Sequence, residues 1–157
     1  MKNFLKLIVS ILLCQTAGIV GSFFTAGSVD TWYEGIKKPF FTPPDAVFAP
    51  VWIVLYLLMG VSMFLVWLRS SGERHVRPAL AVFMVQLVLN AIWSGAFFGL
   101  RSPLAGLIVI ILLWIVIVLT IQAFKKISRI AALLLIPYIL WVSYALVLNA
   151  AIFFLNC

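Results

Sequence analysis

Five apolar runs, at 4–26, 47–68, 79–100, 104–124 and 130–154, constrain this chain more than any other feature. Each is long enough to cross a hydrocarbon core of ~30 Å, which takes roughly 20 helical residues at ~1.5 Å each. The runs are continuous and do not alternate, so they read as helices and not as barrel strands. With 66% of residues hydrophobic and 10% charged, a soluble domain of this length has too little interior to hide the apolar surface. The bilayer has to be the solvent. The expectation is an all-α, polytopic membrane protein, a single domain over 1–157 built as a five-transmembrane-helix bundle.

The connections at 69–78, 101–103 and 125–129 are short, so neighbouring helices are antiparallel and adjacent. The loop 27–46 is the long one. From 31 to 52 the chain reads TWYEGIKKPFFTPPDAVFAPVW and holds Pro39, Pro43, Pro44 and Pro50. It is too aromatic for a solvated linker and too proline-rich for helix, and it reads as a lid folded back over the bundle. The first run carries Lys2 and Lys6 ahead of its apolar stretch, as a signal peptide does, but no A-x-A site follows and the apolar character continues to Ala26. It is kept as the first helix.

The net charge of +7 raises the question of nucleic acid. The cations sit at the ends of the apolar runs and form no stripe or arm, which fits membrane topology and not polyanion binding. Lys2, Lys6, Arg69, Arg74, Arg77, Lys125, Lys126 and Arg129 fall on the N-terminal side; Lys37, Lys38 and Arg101 fall on the other. This bias puts the N-terminus in the cytoplasm, and the C-terminus and loop 27–46 outside a cell membrane.

No run carries an acid at mid-depth, where a proton- or sodium-coupled carrier needs one. His75 stands alone in a connection, and Cys14 and Cys157 form no framework. No metal site, nucleophile–base pair or phosphate loop is visible. What remains are polar and aromatic faces. Gln86, Asn90, Trp93, Ser94 and Phe97 share one face of the third helix, which points at another helix or at a ligand. Ala91, Gly95 and Gly99 form a small-residue seam, for a homodimer or for internal packing, and Gly18, Ser22 and Ala26 form a comparable line on the first helix. The second helix aligns Phe48, Trp52, Tyr56, Met59 and Met63; the fifth aligns Tyr138, Trp141, Ala145 and Asn149. The faces of helices 2, 3 and 5 together suit a mostly apolar cavity with a few hydrogen-bonding groups.

The segments WYEGIKKPFFTPPDAVFAPVWIVLYLLMG, LNAIWSGAFFG and LLIPYILWVSYALVLNAAIFFLN resemble the TspO/MBR family, in order and over nearly the whole chain. The resemblance implies a five-helix bundle, often dimeric, with a pocket under the first loop. Members of that family bind porphyrins, including protoporphyrin IX, and synthetic isoquinoline carboxamide and benzodiazepine ligands; some bacterial members degrade protoporphyrin in light. By motif, Trp32 and Tyr33 open the loop, Trp52 begins helix 2, Asn90 and Trp93 lie on helix 3 and Trp141 on helix 5. With the faces above, the expected ligand-binding set is Trp32, Tyr33, Trp52, Tyr56, Asn90, Trp93, Phe97, Tyr138, Trp141 and Ala145. Asn90 and Trp93 are expected to supply hydrogen bonds. The family's light reaction is associated with the tryptophans matching Trp32 and Trp141, which would be the catalytic pair if the protein is an enzyme.

The expected function is therefore a tetrapyrrole-binding membrane protein, a sensor or regulator of porphyrin metabolism. A light-dependent porphyrin-degrading enzyme and a transporter are the alternatives; unbroken helices without buried charge count against the transporter. No cofactor is obligatory, porphyrin being ligand or substrate, and a second copy of the chain is the expected protein partner. Lys37 and Lys38 read as interface anchors within reach of propionates. The chain departs from the family in three places. Phe41 stands where a loop tryptophan is usual, 105–113 lacks an acidic residue that many members carry, and no basic residue follows Tyr144. Sterol binding is accordingly not carried over.

Overall fold

The computed structural model describes residues 2–69 and 74–157, with Lys2 described by its backbone alone; residues 70–73 of the connection 69–78 fall outside it. Six α-helices follow in order: α1 (Lys2–Ala26), α2 (Asp45–Trp67), α3 (Val76–Ser94), α4 (Pro103–Lys125), α5 (Arg129–Leu134) and α6 (Ile136–Leu155). Two π-helical turns join them, Val29–Tyr33 ahead of the lid and Gly95–Gly99 at the end of α3. Among the described residues five spans are long and apolar enough to cross a membrane, α5 and α6 counting as one.

Local chemistry accounts for the boundaries. Ser102 and Ser128 cap α4 and α5, each accepting from the backbone N–H three residues on, and Pro103 fills the first position of α4 where its missing N–H costs nothing. Lys125 and Lys126 close α4, where a cation meets the negative end of the helix dipole. Arg101, with φ of 52°, turns the chain between α3 and α4.

Three boundaries differ from the sequence reading. The last span is not one helix, because Pro137 has no N–H to give, and the chain breaks at Leu135 between α5 and α6. α3 begins at Val76, with Pro78 in its first turn. α2 begins at Asp45, so the end of the proline-rich stretch is helical after all and Trp52 lies well inside the helix. Pro50 is accommodated near the helix start, where it removes a single bond, to the exposed Ala46.

α1 packs on α2 and α3, α3 on α4, and α4 on α6, with α5 wedged between α2 and α4. Toward the N-terminal end the bundle is close-packed. A Cβ on Gly60 would sit 2.7 Å from the Ile11 backbone, so α1 and α2 touch main chain to main chain there. Phe83 and Phe124 stack at 5.5 Å and are fully buried. Phe4, Phe23, Ile53, Leu104 and Leu140 point outward, as lipid-facing residues should. Gly95 and Gly99 of the small-residue seam face Phe24 of α1.

Candidate functional site

Toward the lid, α1 and α2 part. The gap between them and α3 is a cavity of about 410 Å³, within the usual range for small-molecule sites. Its walls are mainly aromatic: Tyr33 from the π-helical turn, Phe48, Trp52 and Tyr56 from α2, and Trp93 and Phe98 from the end of α3. Trp52 stacks on Tyr56 (centroids 5.5 Å, 28°) and leans on Trp93 at 6.2 Å. The stack continues from Trp93 to Phe97 (6.0 Å, 26°). α1 supplies the opposite wall with small residues, Gly18, Gly21, Ser22 and Thr25. Gly18 makes room there, since a Cβ would lie 2.5 Å from the Tyr56 ring.

The cavity's polar groups are mostly engaged. Tyr56 donates to Asn90 Oδ1, and Asn90 Nδ2 donates to the Tyr138 hydroxyl at 2.9 Å. Trp93 Nε1 donates to Asn149 Oδ1 (3.2 Å), whose Nδ2 donates to the Pro103 carbonyl (2.8 Å). Ser94 donates to the Gly21 carbonyl (2.8 Å) and shares a bond with Thr25 (3.1 Å), pinning α1 to α3. Gln15 Nε2 reaches the Ile53 carbonyl (3.1 Å) across the gap between α1 and α2. The polar face of α3 thus makes interhelical bonds, and the Trp93 N–H is already taken by Asn149.

The lid meets the cavity only at its ends, through Val29, Tyr33 and Asp45. Its middle is tied to α6. The Asn156 side chain accepts from the Lys37 N–H (3.0 Å) and donates to the Lys37 carbonyl (2.9 Å), and Tyr144 donates to the Phe41 carbonyl (2.6 Å). Phe41 therefore holds the lid by its backbone, while its ring packs edge-on against Phe40 and Tyr144. Lys38 Nζ lies 4.6 Å from the Tyr33 ring centroid, an intramolecular cation–π contact. Burial pushes the Tyr33 hydroxyl up to about 12, with the Asp45 carboxylate adding.

Of the ten residues expected at the site, Tyr33, Trp52, Tyr56, Asn90 and Trp93 border the cavity. Trp32, Phe97, Tyr138, Trp141 and Ala145 do not. Trp32 packs edge-on against Phe97 (5.5 Å), and Trp141 sits between Phe48 and Tyr144. Tyr138 is fully buried behind Asn90, with its hydroxyl engaged. The cavity thus lies among helices α1, α2 and α3, where the sequence suggested the second, third and fifth. The α1 wall was missed as a wall, although the line Gly18–Ser22 was visible; small residues there leave the space that the aromatics opposite enclose.

The TspO/MBR family profile matches residues 10–155. The chain is 49% identical over 154 residues to "Tryptophan-rich protein TspO" of Archaeoglobus fulgidus, covering 98% of this chain and 99% of that one. It is 44% identical over 155 residues to the protein of the same name from Chlorobaculum tepidum (99% and 98% covered). The human "Translocator protein" is 39% identical over 132 residues (83% and 78% covered).

Proposed function

The chain belongs to the TspO/MBR family, and from that membership and the cavity we propose that it is a tetrapyrrole-binding membrane protein, a sensor or regulator of porphyrin metabolism. The observation that carries this reading is the pairing of a cavity of about 410 Å³ with indole and phenol walls under a tied lid. Trp52 and Trp93 offer flat apolar faces to a macrocycle. Most donors around them are spent on the protein, so the site favours a ligand held by shape and stacking. Lys37 and Lys38, on the lid, are the cations nearest in sequence to the cavity's rim at Tyr33 and are the candidates to meet propionates.

The charge bias supports an N-terminus in the cytoplasm and a lid outside the cell membrane. A second copy of the chain belongs to the same proposal, with Ala91 and Gly95 on the open groove between α1 and α3 that it would cover. The second reading, light-driven porphyrin breakdown, is favoured by the unbroken ring contacts from the cavity through Trp93 and Phe97 to Trp32. Trp141 reaches the cavity by a separate ring contact, edge-on against the wall residue Phe48 at 6.0 Å.

Titration with protoporphyrin IX, following tryptophan quenching and the Soret band first dark and then illuminated, tests both. Saturable binding with a stable band in light supports the binding protein. Bleaching that needs Trp32 supports the enzyme. Absence of saturable binding overturns the tetrapyrrole assignment.

A further inference from the structure

Four buried side chains form a hydrogen-bonded chain that begins at the cavity and runs away from it. Tyr56 donates to Asn90, Asn90 Nδ2 to Tyr138 (2.9 Å), and Tyr138 to Gln86 Oε1 (2.9 Å). Tyr56 and Asn90 border the cavity; Tyr138 and Gln86 lie behind it. In this direction the Tyr56 hydrogen points away from the cavity, so its oxygen offers a ligand lone pairs alone. The far end is left unsatisfied. Gln86 Nε2 is buried and has no partner among the described residues, and an orphaned buried N–H is a costlier defect than an under-used carbonyl oxygen.

The same four positions accommodate the reverse chain. With both amides turned over, Gln86 Nε2 donates to Tyr138, Tyr138 to Asn90 Oδ1, and Asn90 Nδ2 to Tyr56. The Tyr56 hydrogen is then delivered into the cavity. Each direction has one donor without an acceptor when the cavity is empty: Gln86 in the first, Tyr56 in the second. A ligand acceptor beside Tyr56 removes the defect from the second direction only.

Resting on the reading of this cavity as the ligand site, we propose that Gln86 and Tyr138 are positioning residues that set the direction of the chain, and with it whether Tyr56 donates to or accepts from the ligand. They thereby tune the preference for flat apolar ligands carrying a carbonyl or comparable acceptor. Gln86 never touches the ligand. It acts through Tyr138, whose hydrogen it accepts in the first direction and to which it donates in the second.

The test uses two probes of one shape, a branched-alkyl naphthyl ketone and its analogue with a methylidene group in place of the carbonyl oxygen. Binding to the purified full-length protein is followed by tryptophan quenching, and the readout is the ratio of the two dissociation constants. Wild type should prefer the ketone about tenfold, the equivalent of one hydrogen bond. Tyr56→Phe should bring the ratio to about one. Gln86→Met removes the acceptor that Tyr138 uses in the first direction, so Tyr56 is held as donor and the ratio should rise about threefold. Tyr138→Phe cuts Gln86 out of the chain and leaves Asn90 the same choice, an orphaned Nδ2 in the first direction or an orphaned Oδ1 in the second, so the ratio should stay near that of wild type. In Tyr56→Phe/Gln86→Met it should stay at about one.

A rise in Gln86→Met that is absent from Tyr138→Phe and lost with the Tyr56 hydroxyl is not what loosened packing gives. An unchanged or lowered ratio in Gln86→Met overturns the relay, and so does a rise that persists without the hydroxyl. If neither probe binds wild type, the cavity is not the ligand site, and the relay falls with it.

Discussion

α1 and α2 meet twice, and the two meetings differ in kind. At Gly60 the helices are in backbone contact with Ile11. At Gly18 the same pair is held apart by the Tyr56 ring, and the space beyond is the cavity. A glycine serves both ends, once to let main chain approach main chain and once to let an aromatic ring fill the gap. A small residue on a membrane helix therefore marks close approach, and its partner decides whether the result is a seam or a site.

Gly60→Val should break the first meeting outright. Its side chain would overlap the Ile11 backbone, which cannot withdraw without parting the helices, and a loss of about 3 kcal/mol is expected in thermal unfolding in detergent. Gly18→Ala meets a ring that can swing into the cavity. Its stability cost should be smaller, about 1 kcal/mol, with ligand affinity falling instead. Equal stability losses at the two sites would erase the distinction.

The lid sharpens the comparison, because it is tied to α6 and not to either of these helices. Asn156→Ala removes two hydrogen bonds to Lys37, and ligand dissociation should speed up about fivefold, at about 1 kcal/mol net for the pair. Stopped-flow displacement measures it, and an unchanged rate would mean the ligand leaves without lifting the lid.

Tyr33 makes the lid end sensitive to alkali. Its folded value lies above the ordinary 10.0, so the stability it contributes is fully present below pH 10 and is lost as pH rises toward about 12. Protease cutting within 34–44 should increase over that window, and Tyr33→Phe should remove the dependence. The smallest effect is at Arg101, where φ of 52° suits glycine better. Arg101→Gly should raise stability by about 0.5 kcal/mol in thermal unfolding.

The five spans were legible because their signal is local: a run of apolar residues of membrane length needs no partner to be recognised. The break at Leu135 was harder, since Pro137 lies in an apolar run and the hydropathy continues across it. The polar face of α3 was also legible, as amides spaced along one face must be buried and bonded. Their partners were not. Trp93 is bonded to Asn149, 56 positions on, and nothing in the run around either residue announces the other. The α1 wall of the cavity is not announced in the sequence, because aromatic residues advertise a site and glycines do not. Trp141 drew attention by its size, whereas Gly18 and Gly21 make room by lacking it.

Protoporphyrin IX affinity of Trp52→Leu against Trp141→Leu tests the central claim most directly, because Trp52 borders the cavity and Trp141 does not. The account expects at least about a tenfold loss from Trp52→Leu and less than about threefold from Trp141→Leu. A tenfold loss from Trp141→Leu, with Trp52→Leu binding as wild type, would place the ligand against α6 and contradict it.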